Sequence, residues 1–206
     1  MSETTVQETA GRPLAVVTGA SSGIGRELAA QFAENGYDLV VAAEDERIGA
    51  VAGSLAGRGI QAVPVEADLA TFDGVEELHR AIQATGRVPD AVAVNAGVGV
   101  AGDFARDNEL ADELRDTGVT VTALMPGPTD TEFFDRAGMQ GTKLREQISK
   151  DDPAQVAREG FEALMAGKDH VVAGSMKNKA QVASSRVLPE TAKAATQARM
   201  TEPGSG

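Results

Sequence analysis

The sequence predicts an α/β protein with a doubly wound, mainly parallel β-sheet. Short apolar segments alternate along the chain with longer segments whose apolar residues have helical spacing. The first apolar segment, Leu14–Thr18 (LAVVT), is continuous enough for a strand that is buried on both faces. Because strands and helices that alternate through short connections form parallel sheets covered by helices, this order predicts the fold class.

Six short segments are predicted to be strands. Right-handed crossovers place the first four in the order 3-2-1-4. The fifth is expected to lie beside the fourth, because a gap in the sheet would leave strand edges open to aggregation. The predicted strands are Leu14–Thr18, Asp38–Ala43, Gln61–Val65, Ala91–Asn95, Val119–Leu124 and His170–Ala173.

The predicted helices rest on apolar spacing and on residues that start or stop a helix. Asn35-Gly36 ends the first helix with residues that tolerate the left-handed conformation. Thr71 supplies an N-cap hydroxyl to the third. Asp152-Pro153 supplies an N-cap and a proline at the first helical position of the last. The predicted helices are Ser22–Glu34, Ile48–Ala56, a helix that begins at Thr71, Asn108–Asp116, and a helix from Asp152-Pro153 to Met165.

Composition and charge exclude several functional classes. The 206 residues carry a net charge of −12, which disfavours binding to nucleic acid or to an anionic membrane. The absence of cysteine excludes disulfides and thiolate chemistry. His79 and His170 lie in different predicted elements, so no metal site is predicted. No apolar run reaches the roughly 18 residues of a membrane span, and the first ten residues lack the apolar core of a signal peptide, so we expect a cytoplasmic protein.

A glycine-rich loop connects the first strand to the first helix. Its glycines follow the pattern Gly19-x-x-x-Gly23-x-Gly25. Glycines so placed allow a sharp turn, close approach of a pyrophosphate and tight packing of helix on strand, and the helix N-terminus attracts phosphate. The loop therefore predicts a dinucleotide site, with contacts from Gly19, Ser21, Ser22, Gly23, Ile24 and Gly25.

The stretch TGASSGIG resembles the cofactor motif of the short-chain dehydrogenase/reductase family. Three further stretches resemble that family in the same order. The resemblance implies a Rossmann-type fold, an NAD or NADP cofactor and oxidoreductase ancestry. It also implies adenine contacts from Asp68 and Leu69, a strand-end motif at Asn95, Ala96 and Gly97, and nicotinamide-side contacts from Pro126, Gly127, Thr129 and Thr131.

The catalytic residues of the family are missing from this chain. Family members use a serine and a Tyr-x-x-x-Lys pair, in which lysine lowers the tyrosine pKa. The one tyrosine, Tyr37, precedes the second strand, and Val41 occupies the lysine position. We therefore predict an internal deletion of about one strand and most of two helices, roughly 50 residues if a βαβ unit takes 30 or more. No catalytic residue is predicted.

The choice of cofactor depends on the end of the second predicted strand. Ala43 is small there, as in family members that bind NADP, but Glu44 stands where an arginine would suit the 2′-phosphate. A carboxylate accepts a hydrogen bond from ribose and repels phosphate. Glu44 therefore favours NAD, whereas Arg47 and Arg26 keep NADP open.

Domain organisation and function follow from the same observations. We predict a flexible N-terminus at residues 1–12, a Rossmann-type dinucleotide-binding domain at 13–174, and a helical tail with a disordered end at 175–206. Three hypotheses remain: a dinucleotide-binding scaffold with little or no activity, an active oxidoreductase that uses other residues, and a functionless deletion product. In the family, two helices build the main subunit contact. Because one of them is absent here and the other shortened, we predict a monomer or a weak dimer.

Overall fold

In a computed structural model, the structure describes residues 11–97, 113–114, 116–132, 150–176 and 179. The predicted segments 1–12, 108–116 and 175–206 fall largely outside these ranges. The described residues form two compact units, the first from 11–21 and 29–96, and the second from 22–28 and the described residues from 97 onward.

Strands and helices alternate along the described residues, as the sequence predicts. The strands are β1 (Leu14–Thr18), β2 (Asp38–Ala43), β3 (Ala62–Glu66), β4 (Ala91–Ala93), β5 (Ala123–Pro126) and β6 (His170–Ala173). The helices are α1 (Gly23–Glu34), α2 (Arg47–Ala56), α3 (Phe72–Ala84) and α4 (Pro153–Met165). In this part of the chain no helix combines the length and the apolarity that crossing a membrane requires.

A four-stranded parallel sheet forms the centre of the first unit. Its strand order is β3-β2-β1-β4, which confirms the predicted 3-2-1-4 order and the α/β fold class. Every residue of β1 and β2 is buried, as expected for central strands of a parallel sheet. Leu14, Val16 and Val40 belong to one apolar cluster, against which Leu78 and Ile82 of α3 pack. This burial fixes the sheet that carries the glycine-rich loop.

The second unit contains a smaller parallel sheet and one long helix. β5 pairs with β6 in the register Ala123↔His170, and α4 packs against β6. Asp152 accepts a hydrogen bond from the Ala154 amide at 3.0 Å and caps α4, which confirms both ends of the predicted helix. Gly160 allows α4 to approach β5 closely, because a Cβ there would lie 2.9 Å from Leu124 Cδ2.

The prediction for the fifth strand is wrong in its bounds and in its partner. The strand begins at Ala123 rather than Val119, and its hydrogen-bonded neighbour is β6 rather than β4. The physical reason is a long-range register: the Ala123 amide donates to the Asp169 carbonyl at 2.9 Å, and the Thr122 hydroxyl donates to the Lys168 carbonyl at 2.6 Å. Among the described residues, β4 pairs with β1 alone.

Three other strand ends differ from prediction by one or two residues, and one of them is the end of β3, at Glu66 rather than Val65. β3 starts at Ala62, one residue late, because the Gln61 amide donates to Asp38 Oδ1 at 2.9 Å. β4 ends at Ala93 rather than Asn95, because the amides of Asn95 and Ala96 donate to the Thr18 hydroxyl. In the last two cases a side chain from another strand takes the hydrogen bond that would extend the ladder.

Asp38, the first residue of β2, joins three segments at the amino end of the larger sheet. Its carboxylate accepts the Gln61 amide and a hydrogen bond from Arg87 Nη1 at 2.8 Å, while Arg12 Nη1 lies 4.0 Å away. Arg87 also donates to the Arg12 carbonyl. Asp38 is 7% exposed, so these partners replace most of its contact with water.

These partners change the pKa of Asp38. Burial raises the pKa of the carboxyl, but the Gln61 amide, the hydrogen bond and charge of Arg87, and the charge of Arg12 together lower it below 3.8. A carboxyl whose pKa is lowered by folding stabilises the folded state at every pH above its unfolded pKa. That contribution disappears as the pH falls through the folded pKa.

We predict that Asp38→Asn lowers the free energy of unfolding at neutral pH by about 1–3 kcal/mol, because it removes the charge that Arg87 and Arg12 face. The difference from the parent should shrink as the pH falls below 3.8. Urea unfolding across this pH range measures both effects. Glu34→Gln is the control, since it breaks the exposed Glu34–Arg58 pair and should cost less than about 1 kcal/mol. A difference for Asp38→Asn that does not vary with pH would contradict the prediction.

Candidate functional site

The glycine-rich loop leaves the carboxyl end of β1, beside the carboxyl end of β2. The Ala20 amide donates to the Ala42 carbonyl at 3.1 Å, which extends the contact between the two chain segments beyond β1. After the loop, α1 begins at Gly23. This is the strand, loop and helix order in which a helix N-terminus presents free amides to phosphate.

Two glycines of the loop occupy positions that a side chain would disturb. Gly19 has φ +65°, and a Cβ there would lie 2.8 Å from Asn95 Nδ2 and 3.0 Å from Ala96 Cα. Gly23 has φ +56°, and a Cβ there would lie 2.9 Å from Thr131 Cγ2. Both positive φ values and both close contacts favour glycine. The loop backbone is therefore held close to Asn95, Ala96 and Thr131, and Gly19 and Gly23 are themselves partly exposed.

Thr18, the last residue of β1, organises the end of β4. Its hydroxyl oxygen accepts the Asn95 amide at 3.0 Å and the Ala96 amide at 2.9 Å. In return, Asn95 Nδ2 donates to the Thr18 carbonyl at 3.1 Å and lies 3.4 Å from the Gly19 carbonyl. Thr18 is 6% exposed. Asn95 and Ala96 are predicted as cofactor contacts, but their backbone amides and the Asn95 side-chain amide bind Thr18 and so hold the start of the loop. Gly97, which follows them, is exposed.

Ser21 has a partner that the sequence analysis missed. Its hydroxyl donates to Asp45 Oδ2 at 2.8 Å, and Ser21 itself is buried. Asp45 is also paired with Arg47, whose Nε lies 2.9 Å from Oδ1 and whose Nη2 lies 3.2 Å from Oδ2. Glu44, the predicted ribose contact, is exposed. The sequence signal for Asp45 was its position directly after β2. Nothing in the sequence indicated that it pairs with Ser21.

Asp68 and Leu69, the predicted adenine contacts, form the turn before α3. Asp68 Oδ1 accepts the Ala70 amide at 2.9 Å, and the Asp68 carbonyl accepts the Thr71 hydroxyl at 2.8 Å. Leu69 packs against the apolar cluster of the larger sheet. Asp68 is exposed. In this turn Asp68 is therefore exposed to solvent, whereas Leu69 is half-buried.

A polar cleft of about 330 Å³ lies in the second unit. Three of the predicted site residues line it, namely Ser22, Gly23 and Thr131. Its remaining lining residues are two cations, two carboxylates and a proline: Arg26, Lys150, Asp130, Glu132 and Pro153. Lys150 Nζ lies 2.9 Å from Asp130 Oδ1. The cleft therefore offers hydroxyls, one glycine backbone and charges of both signs to a ligand.

The other predicted residues of the second unit flank β5 and the start of α1. Pro126 ends β5, and Gly127 follows it, with its carbonyl accepting the Thr129 hydroxyl at 2.8 Å. Thr129 is buried and forms a bridge with Asp151. Ile24 and Gly25 lie in the first turn of α1. The structure thus uses the Thr129 hydroxyl to fix its own loop.

Tyr37 packs in the first unit, away from the glycine-rich loop. It directly precedes β2, at the opposite end of that strand from Ala43. Its ring contacts Phe32 edge to face, with ring centroids 5.2 Å apart. Such a contact is typical of a core aromatic pair. In the portion that the structure describes, no cluster of three or more histidine or acidic side chains is placed to hold a metal ion.

We predict that Thr18→Val destabilises the protein by about 1–3 kcal/mol, because the part-buried amides of Asn95 and Ala96 lose their shared acceptor. Thr18→Ser keeps the hydroxyl and should cost markedly less. Urea unfolding gives the stabilities, and hydrogen exchange of the two amides should accelerate only in the valine variant. Equal stabilities for the valine and serine variants would show that the hydroxyl does not hold the loop.

Comparison with known proteins agrees with this geometry. Residues 13–110 match the family model described as short chain dehydrogenase. The probable oxidoreductase EphD of Mycobacterium tuberculosis (strain H37Rv) is 42% identical over 95 residues, 46% of this chain and 16% of that protein. Oxidoreductase UcpA of Salmonella typhimurium is 35% identical over 108 residues, 52% of this chain and 40% of that protein. The matches therefore span less than half the length of either relative.

Solved structures of low sequence identity share the fold. A short chain dehydrogenase/reductase from Burkholderia phymatum in complex with NAD has a TM-score of 0.64 at 19% identity, and the match covers 95% of this chain and 98% of that one. A short-chain dehydrogenase from Sphingobium yanoikuyae in complex with NADPH has a TM-score of 0.62 at 20% identity, over 78% and 87% of the two chains. Residues 13–110, just under half of the chain, are therefore similar to the short-chain dehydrogenase family.

Proposed function

We propose that this protein binds a nicotinamide dinucleotide on a short-chain dehydrogenase scaffold and has little or no dehydrogenase or reductase activity. The observation that carries the proposal is the loop of Gly19–Gly25, whose first and fifth residues have positive φ and no room for a side chain. Glycines at the start of a helix leave backbone amides that can donate hydrogen bonds to a pyrophosphate.

The residues present fit such a cofactor. In this proposal the loop residues Gly19, Ser22, Gly23, Ile24 and Gly25 hold the pyrophosphate, and Asp68 and Leu69 flank the adenine. Pro126, Gly127, Thr129 and Thr131 belong to the nicotinamide side, while Asn95, Ala96 and Gly97 shape the strand end. The bound cofactor supplies a hydride donor or acceptor. The solved relatives in complex with NAD and with NADPH support the cofactor class.

Proton transfer is the step that this chain is poorly equipped to perform. Carbonyl reduction in the family relies on a tyrosine acid beside a lysine, and Tyr37 has Val41 in the lysine position. Tyr37 also packs on Phe32 before β2 rather than beside the loop. Loss of general acid catalysis typically costs about 10²–10⁴-fold in rate. We infer that hydride transfer to a carbonyl is correspondingly slow.

We further propose that the chain lacks an internal segment of the family between Gly97 and Pro126. The family match ends at residue 110, soon after the segment that ends β4. Among the described residues the outer edge of β4 has no paired strand, and Val92 and Val94 are 54% and 79% exposed. Parallel strands are normally covered on both faces, so such exposure supports the loss of a neighbouring element. On this basis we also expect a monomer or weak dimer, located in the cytoplasm.

We predict that the protein binds NADH or NADPH. Gly23→Ala should weaken this binding at least about tenfold, because the new methyl group clashes with Thr131 and shifts the loop that is proposed to bind the pyrophosphate. Fluorescence titration of the nicotinamide measures the Kd. Gly36→Ala is the matched control: Gly36 has φ +82° but open space around it, so this variant has the same kind of backbone strain without the contact. Equal weakening by both variants, or none by Gly23→Ala, would contradict the proposed loop function.

We predict turnover well below about one per second on simple ketones, aldehydes and secondary alcohols, since median enzymes reach about 10 per second with intact machinery. The measurement is the absorbance change of NAD(P)H across a panel of carbonyl substrates, with Gly23→Ala as the background control. Turnover near one per second that Gly23→Ala abolishes would establish the alternative, an active oxidoreductase in which another residue supplies the proton.

A further inference from the structure

We propose that Asp151 is a positioning residue, which joins the loop after β5 to the loop after β6 and thereby holds Thr131 beside the start of α1 for the nicotinamide half of a dinucleotide. The inference rests on the proposed dinucleotide function and deepens it. Asp151 itself touches no part of the cofactor in this scheme. It is a buried carboxylate that lies outside the predicted cofactor contacts.

The backbone of Asp151 is joined to the loop that follows β5. Its amide donates to the Pro128 carbonyl at 2.7 Å, and its carbonyl accepts the Asp130 amide at 3.0 Å. These two bonds flank Thr129, with which Asp151 forms an isolated parallel bridge. The hydrogen bonds therefore fix the loop backbone as far as the residue before Thr131.

The side chain of Asp151 reaches the loop that follows β6. Its Oδ1 accepts the Ser175 amide at 3.0 Å, and Asp151 is only 8% exposed. Its Oδ2 is also buried, and no donor in the described part of the chain reaches this atom. A Cβ at Gly174 would overlap Oδ2 and lie 2.6 Å from Cγ. The glycine backbone therefore fills the space beside Oδ2, and a larger residue at 174 would displace the carboxylate.

The unpartnered oxygen distinguishes Asp151 from an ordinary capping residue. A buried carboxylate oxygen without a donor costs free energy, and a carboxylate kept in such a position indicates a role beyond stability. The neighbouring Asp152 shows the contrast, since it is exposed and caps α4 by accepting the Ala154 amide at 3.0 Å. Asp151 instead connects the loops at the ends of two paired strands, β5 and β6.

Thr131 is the residue that this contact positions. It follows directly after Asp130 and lines the polar cleft together with Ser22 and Gly23. It lies against the first residue of α1, because a Cβ at Gly23 would be 2.9 Å from Thr131 Cγ2. In the proposed function Thr131 belongs to the nicotinamide side of the cofactor. A shift of this loop should therefore weaken binding of the nicotinamide half and leave binding of the adenosine half unchanged.

The test measures the Kd of NADH by nicotinamide fluorescence, and the Kd of AMP by displacement of NADH, in the parent and in matched variants. Asp151→Ala should raise the NADH Kd about five- to tenfold, because the loop loses a hydrogen-bonded anchor. The AMP Kd should change less than about twofold, since AMP lacks the nicotinamide half. Asp151→Asn keeps an acceptor for the Ser175 amide and should recover most of the NADH affinity.

Asp152→Ala is the matched control. It removes the N-cap of α4 and should lower the stability measured by urea unfolding, but it should raise the NADH Kd less than about twofold. Hydrogen exchange of the Asp130 and Ser175 amides should accelerate in Asp151→Ala and not in Asp152→Ala.

A double variant tests the contact between Asp151 and Gly174. Gly174→Ala should weaken NADH binding about as much as Asp151→Ala, because the new methyl group displaces the carboxylate. Added to Asp151→Ala, it should raise the NADH Kd by less than about a further twofold, since the carboxylate is already gone.

Each alternative outcome has a distinct meaning. Equal NADH Kd values for Asp151→Ala and Asp152→Ala, or an equal loss of AMP and NADH affinity in Asp151→Ala, would overturn the positioning role while leaving dinucleotide binding intact. Additive effects of Gly174→Ala and Asp151→Ala would overturn the role of the contact with Gly174. No saturable binding of NADH by the parent would instead refute the proposed function, and with it this inference.

Discussion

The parallel pairing of β1 with β2 is the constraint on which the candidate site depends. Both strands are buried along their whole length, and their register places Leu14 beside Asp38 and Thr18 beside Ala42. A shift in this register would break the bonds that flank it, from the Asp38 amide to the Pro13 carbonyl and from the Ala20 amide to the Ala42 carbonyl. The carboxyl ends of the two strands consequently meet, and the loop after β1 lies beside the residues after β2.

The two ends of this sheet use polar residues for different purposes. At the amino end, Asp38 collects an amide and two guanidinium groups and is largely enclosed, an arrangement that stabilises the fold. At the carboxyl end, the Thr18 hydroxyl accepts the amides of Asn95 and Ala96. The Ser21 hydroxyl donates to Asp45. These bonds order the loop after β1, whose residues Gly19, Ser22 and Gly23 are partly exposed. Ligand sites at the carboxyl edge of open parallel sheets have this general form.

The candidate binding features and the part of the chain that resembles a known family coincide. Binding features are local to the strand, loop and helix that begin the fold, and residues 13–110 carry the family match. In the proposed function, by contrast, a general acid beside the nicotinamide would depend on a segment that we propose this chain lacks. Among the described residues, the exposed and unpaired edge of β4 supports that proposal.

Local signals in the sequence were sufficient for the fold class, the 3-2-1-4 strand order and the bounds of β1, β2, β6 and α4. Each of these signals depends on a few neighbouring residues only. They are the continuous apolar residues of β1, the glycine after Thr18 and the Asp152-Pro153 cap of α4. The tertiary structure alone decided the start of β5, because Ala123 takes its register from Asp169. It also decided the partners of Thr18 and Ser21, which lie 77 and 24 residues away. Such contacts depend on how separate strands pack, and no local pattern encodes that distance.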